Sequence, residues 1–142
     1  MATPYEKIYE RFSQKITDFN LVEVDDNSLD KMLLGWLNSS IVNMRKREHN
    51  LSLRDDEEQE FQEDLSDLEI ELLALGMKLA WIDQYLNSTE LVLQFIGGKE
   101  EKYYSQSAHI SELRELRKDT LREMNSLHNY DTYANNSYFN IN

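Results

Sequence analysis

The residues able to do chemistry are present but scattered. Three histidines, His49, His109 and His128, stand apart, and none forms a metal-ligand pair at helical spacing. Ten acidic residues and no basic one lie between Asp55 and Glu71. That run lacks the alternating carboxylates and turn glycine of a calcium loop, and the Glu-x-x-His repeats of a carboxylate metal centre. It reads first as a solvated acidic face. The GGKEEK stretch at 97–102 is not a phosphate-binding loop, because its lysine follows the glycine pair directly and no Ser or Thr follows to hold magnesium. No nucleophile elbow or dinucleotide fingerprint occurs. The expectation is a protein that is not an enzyme and uses no metal or cofactor.

The elements that carry these residues read as helices. TPYE at 3–6 predicts a start, with Thr3 as cap, Pro4 in the first turn and Glu6 closing a capping box. Tyr5, Ile8, Tyr9, Phe12, Ile16 and Phe19 then recur at steps of three and four, so a first helix is expected to about Phe19. A second follows a cap at Asn27 or Ser28, turns Leu29, Met32, Leu33, Trp36, Leu37, Ile41 and Met44 inward, and ends in Arg45, Lys46 and Arg47. Cations at a helix carbonyl end favour the macrodipole, which is the simpler reading of that cluster than a phosphate site.

Ser66-Asp67-Leu68-Glu69 is a second capping box and predicts the start of a long third helix, with a short helical turn over residues 55–63 before it. Leu65, Leu68, Leu72, Leu75, Leu79, Ile82 and Leu86 form its seam, widened by Leu73, Ala80 and Trp81. Gly76 in the middle admits another helix close by, at about 1 kcal/mol in propensity. Trp36 and Trp81 read as core. Asn87-Ser88 is expected to break the helix, and both a strand and a helical turn fit residues 89–96. Helix four is expected from about Ser107 to His128, with Ile110, Leu113, Leu116, Leu121, Met124 and Leu127 inward. Its other faces mix Arg114, Arg117, Lys118 and Arg122 with Glu112, Glu115, Asp119 and Glu123, a solvated or subunit-facing surface. Tyr103-Tyr104 falls in the connection before it, either folded back on its own bundle or covered by a neighbour.

Composition agrees with this all-α reading. With 142 residues, four glycines and one proline, the chain is one domain poor in loops. It has no cysteine, so no disulfide framework or thiolate site. No apolar run reaches the ~18 residues of a membrane span, and the opening MATPYEKIYERF lacks a signal-peptide pattern, so synthesis in the cytoplasm is expected. The net charge of −12 opposes general binding to nucleic acid, while leaving open a surface that DNA passes without sticking.

The last fourteen residues, NYDTYANNSYFNIN, break from this pattern: Asp131 is their only charged side chain. Asparagines favour turns and extended backbone, and Tyr130, Tyr133, Tyr138 and Phe139 look too irregularly spaced for a helix face. Disordered ends are usually rich in charge and poor in aromatics. Aromatic anchors among amides instead have the composition of an interface. The expected organisation is a helical bundle of about four main helices over residues 1–128 and an extended C-terminal arm over 129–142. That arm would add a strand to a partner or lie in a groove between subunits.

Over most of its length the chain resembles the head–tail connector proteins of tailed bacteriophages, the adaptor or head-completion family. The resemblance lies in PYEKIYERFSQKITDF, EDLSDLEIELLALGMKLAWI and FIGGKEEKYYSQSAHISELRELR, with the NNSY of the tail. It is strongest at GGKEEKYYSQ. It implies a virion protein at the capsid–tail junction that assembles with itself beneath the portal protein, typically as a ring of twelve. The ring would extend the DNA channel, with DNA only as passing cargo, and would offer a surface to the next neck or tail protein, with no membrane involved. The arm, with Tyr130, Tyr133, Tyr138 and Phe139, would then dock on the portal or a neighbouring subunit. Gly97, Gly98, Lys99, Tyr103 and Tyr104 would form an inter-subunit loop, and Asp55, Asp56, Glu57, Glu58 and Glu60 a channel wall or ring rim. The alternative is an acidic cytoplasmic protein that mimics DNA and inhibits a host nucleic-acid-binding factor, since clustered carboxylates can imitate phosphate spacing.

Overall fold

Tyr5 opens the first helix with its backbone N–H already satisfied, donating to the Gln59 carbonyl at 2.8 Å across the molecule. This comes from a computed structural model that describes residues 2–16, 26–44, 49–96 and 100–141, with 89–96, 100–106 and 130–141 described as backbone only. Its helices are α1 (Tyr5–Ser13), α2 (Asp26–Asn43), α3 (Asp67–Ile96) and α4 (Glu100–Ile141). Three two-residue strands, β1 (Thr3–Pro4), β2 (Arg54–Asp55) and β3 (Glu60–Phe61), form an antiparallel sheet in the order β1-β3-β2. The all-α class and the bundle of four helices are as the sequence predicts.

α3 is the hub, packed by α1, α2 and α4. Every residue from Leu72 to Met77 is buried, which is what a helix apolar on all sides requires. Tyr5, Ile8 and Phe12 of α1, Trp36, Leu37 and Ile41 of α2, and Phe61 of β3 close around it in one core, which also holds Trp81. Leu75 and Leu79 turn toward Met124 on α4. Gly76 marks a close approach of α2: a Cβ there would overlap the Ser40 hydroxyl and lie 2.8 Å from the Ser40 Cβ. Ser40 Oγ donates to the Leu73 carbonyl at 2.8 Å, so the serine is satisfied within the contact.

Local signals held where they were short-range. Ser66 and Glu69 make the expected capping box: the Ser66 N–H donates to Glu69 Oε1 at 3.0 Å, and the Glu69 N–H to Ser66 Oγ at 3.2 Å. Thr3 does not cap α1. It sits in β1, where its Oγ1 donates to the Glu63 carbonyl and accepts from the Leu65 N–H, both at 2.9 Å. Pro4 takes the cap position in extended conformation without a side-chain bond, so no capping box forms with Glu6. The tertiary partners offered by residues 59–65 replace the local cap.

Several boundaries move. α1 ends at Ser13, short of Phe19, and residue 19 lies outside the described residues. Residues 55–63 are not a helical turn but a β-hairpin, with Gln59 in the left-handed region at φ 53°. α3 runs through Asn87-Ser88 to Ile96, making residues 89–96 helical. α4 begins at Glu100, so Tyr103 and Tyr104 lie on a helix rather than in a loop. It continues past His128 to Ile141, so the backbone of 129–141 is helical and not an extended arm. Asparagine costs well under 1 kcal/mol relative to alanine in a helix, and extending an existing helix avoids the nucleation cost. No proline or glycine stands in the segment to stop it.

Candidate functional site

The acidic run does not make one continuous face. Asp55 Oδ1 accepts from the Glu57 and Glu58 N–H groups at 2.9 and 3.2 Å, shaping the hairpin turn. Asp56 accepts from the Tyr5 hydroxyl at 2.6 Å and lies 3.8 Å from Arg54 Nε. Burial, then the bond to Asp56 and its charge, pushes the Tyr5 phenol well above its ordinary pKa. Glu71 accepts from Arg11 Nη1 at 3.2 Å and from Lys15. Of the proposed rim residues, Asp55, Asp56, Glu57 and Glu58 are exposed around the hairpin turn and Glu60 is half-buried in β3.

Glu69 is the most engaged carboxylate. Only 2% exposed, it accepts from the Ser66 N–H and hydroxyl, the His49 N–H at 3.1 Å and His49 Nδ1 at 2.5 Å. Burial alone would raise its pKa, but the bonds from Ser66 and His49 and the charge on His49 outweigh it and hold the carboxyl below its usual range. Serine, histidine and acid meet here, yet in the wrong order for nucleophilic catalysis. A triad places the histidine between acid and hydroxyl, whereas here the carboxylate is in the middle. The cluster fastens the α2–β2 connection to the start of α3. Twenty residues separate His49 from Glu69, and nothing in the sequence joins them. Among the described residues no group of three or more His, Asp or Glu side chains is placed to hold a metal ion. His109 packs edge-on to Tyr85 at 5.5 Å, and His128 is buried.

α2 and α3 enclose an open groove of about 580 Å³. Gly35 and Ser39 form one wall and Ala80 and Asp83 the other. Between them Trp36 Nε1 donates to Gln84 Oε1 at 2.8 Å. Arg117 of α4 reaches Asp83 at 2.6 Å, tying α4 to the rim.

Asp83 with Arg117 and Tyr85 with His109 set α3 and α4 antiparallel. Counting along that register, Asp67 at the start of α3 stands opposite α4 at about residue 131. The last three turns of α4 therefore run past the start of α3, and Tyr133, Tyr138 and Phe139 fall in them, with Tyr130 at their edge. At 100° per residue Tyr130, Tyr133, Ala134, Tyr138 and Ile141 share one side of the helix and Phe139 the opposite one. The helix gives these positions a period that an extended backbone would not. Gly97, Gly98, Lys99 and the basic cluster Arg45–Arg47 lie outside the described residues.

Among the described residues no helix is long and apolar enough to cross a membrane. The chain matches no family model, no curated protein and no solved structure.

Proposed function

We propose that this chain is a structural adaptor of a tailed-bacteriophage virion, docking beneath the portal at the capsid–tail junction as a homo-oligomeric ring. The observation that carries the reading is the overreach of α4. A 42-residue helix carries its last residues, aromatic and nearly uncharged in sequence, about 15 Å past the start of the helix it packs on. An adaptor must fold alone and then present something to a template, and a bundle with one overlong helix suits both demands. The resemblance at GGKEEKYYSQ supports the same assignment. Tyr130, Tyr133, Tyr138 and Phe139 are the docking residues in this reading, the ring extends the DNA channel, and the role is not catalytic. The hairpin carboxylates from Asp55 to Glu58 face the channel or the rim. The DNA-mimic alternative draws less support, because Asp55, Asp56, Glu69 and Glu71 are engaged within their own protomer.

The test is reconstitution on the portal protein encoded by the same phage, read by negative-stain microscopy. The intact chain is expected to add a ring to the portal, and a chain lacking residues 129–142 to fold without attaching. Full attachment by the truncated chain would remove the docking assignment. No attachment by the intact chain would remove the adaptor reading itself.

A further inference from the structure

The two longest charge-free stretches of this heavily charged chain are Met32–Met44 and Thr132–Asn142. The first is most of α2. Its outward side, Gly35, Ser39, Val42 and Asn43, is exposed, with Val42 81% so. That side borders the α2–α3 groove, where a Cβ added at Gly35 would meet nothing within 4 Å. The second is the overreaching end of α4. Residues 31–43 rise about 18 Å along α2, and residues 130–141 about the same. A helix can lie close against a wall of Gly35, Ser39 and Ala80.

We infer that the last turns of α4 dock in the α2–α3 groove of a second copy of this chain. The contact cannot form within one protomer. The groove lies at residues 79–87 of α3, whereas α4 passes the opposite end of α3 and continues away from it. Net charge selects the pairing. Two copies at −12 repel wherever carboxylates meet, and interface cores exclude charge. Joining the charge-free side of α2 to the charge-free end of α4 limits both penalties, because Asp83 on the far wall is already paired with Arg117. Positions 130, 133, 134 and 138, which share one side of the helix, are the ones this pairing assigns to the contact. Lys31 at the groove rim complements Asp131, the one charge in the tail. Because one surface meets a different one, each copy offers a further site, and the series closes as a ring or grows as a filament.

This inference rests on the adaptor reading for its biological setting but not for its test. The chain has no cysteine, so Ser39→Cys and Ala134→Cys chains can be mixed and joined by a short bismaleimide, free at rising concentration and on the portal. A crosslink between the two chains is expected in both settings. Gly35→Leu, whose Cβ meets nothing at home, should cut its yield on the order of tenfold while leaving the melting temperature unchanged or higher. Absence of the crosslink in both settings, or a yield indifferent to Gly35→Leu, overturns the inference. Loss of portal binding with the crosslink intact would sink the adaptor reading alone.

Discussion

His49 Nδ1 lies 2.5 Å from Glu69 Oε1, and the same carboxylate closes the capping box of α3. One buried group therefore ends one connection and begins the central helix of the core. Replacing it by glutamine removes the charge, keeps one acceptor oxygen and turns an N–H2 toward the donors of His49 or Ser66. Glu69→Gln is expected to cost about 2–3 kcal/mol at neutral pH, lowering the thermal midpoint by roughly 5–10 °C.

Acid should act through the same group. The folded carboxyl of Glu69 is held below its unfolded value of about 4.3. Its contribution is therefore whole above that pH and fades as pH falls through the folded value. Denaturant titrations from pH 6 downward check this: stability of the parent should fall below about pH 4 more steeply than that of Glu69→Gln. Parallel curves would show that Glu69 does not set the acid limb.

At the basic end the tyrosines lead. Burial first, then Asp30 and Asp56, pushes Tyr9 up to about 12, and Tyr5 is raised further. Groups raised in this way favour the fold below about pH 10 and cease to do so as pH climbs toward the folded values. Phenolate absorbance should show two of the eight tyrosines ionising only as the protein unfolds. Tyr5→Phe, which frees Asp56 from its 2.6 Å partner, should cost about 1–2 kcal/mol.

Gly76→Ala should destabilise by about 2 kcal/mol, although alanine is the better helix former by about 1 kcal/mol. The added methyl has nowhere to go but into Ser40. Ser40→Gly in the same chain removes the two nearest of the three Ser40 atoms in the way and should recover much of the loss. Urea midpoints of the two single variants and the double variant measure the coupling.

The final helix gives a separate prediction. Asn135→Pro should reduce helical circular dichroism and abolish portal attachment without moving the thermal midpoint, because no turn of α3 stands opposite. A large drop in that midpoint would mean that the segment is part of the bundle's core.

What could be read in advance depended on how far apart the partners are. Ser66 and Glu69 are three residues apart, and the leucine seam of α3 repeats at every turn, so both were legible. Gly76 was legible because a glycine inside a strong helix asks for a neighbour. The sheet was not. Strands of two residues have no period, and Thr3 looks like a cap until residues 63–65 are brought beside it. Asn87-Ser88 and the asparagines after His128 looked like stops for a related reason. Their local preference for turns is weak beside the advantage of continuing a helix that already exists. The groove also escaped notice, since its walls come from Gly35 and Ala80, residues that signal nothing alone.

The hydroxyl of Thr3 reaches the amide of Leu65, and the amide of Tyr5 the carbonyl of Gln59. β1 and the start of α1 are thus clasped by a segment made some sixty residues later. On the ribosome, α1 must wait undocked until that segment has cleared the exit tunnel, and closing so long a loop precedes any reward from the contacts. Folding is therefore expected to begin with the helices in the middle and to finish with the docking of β1 and α1.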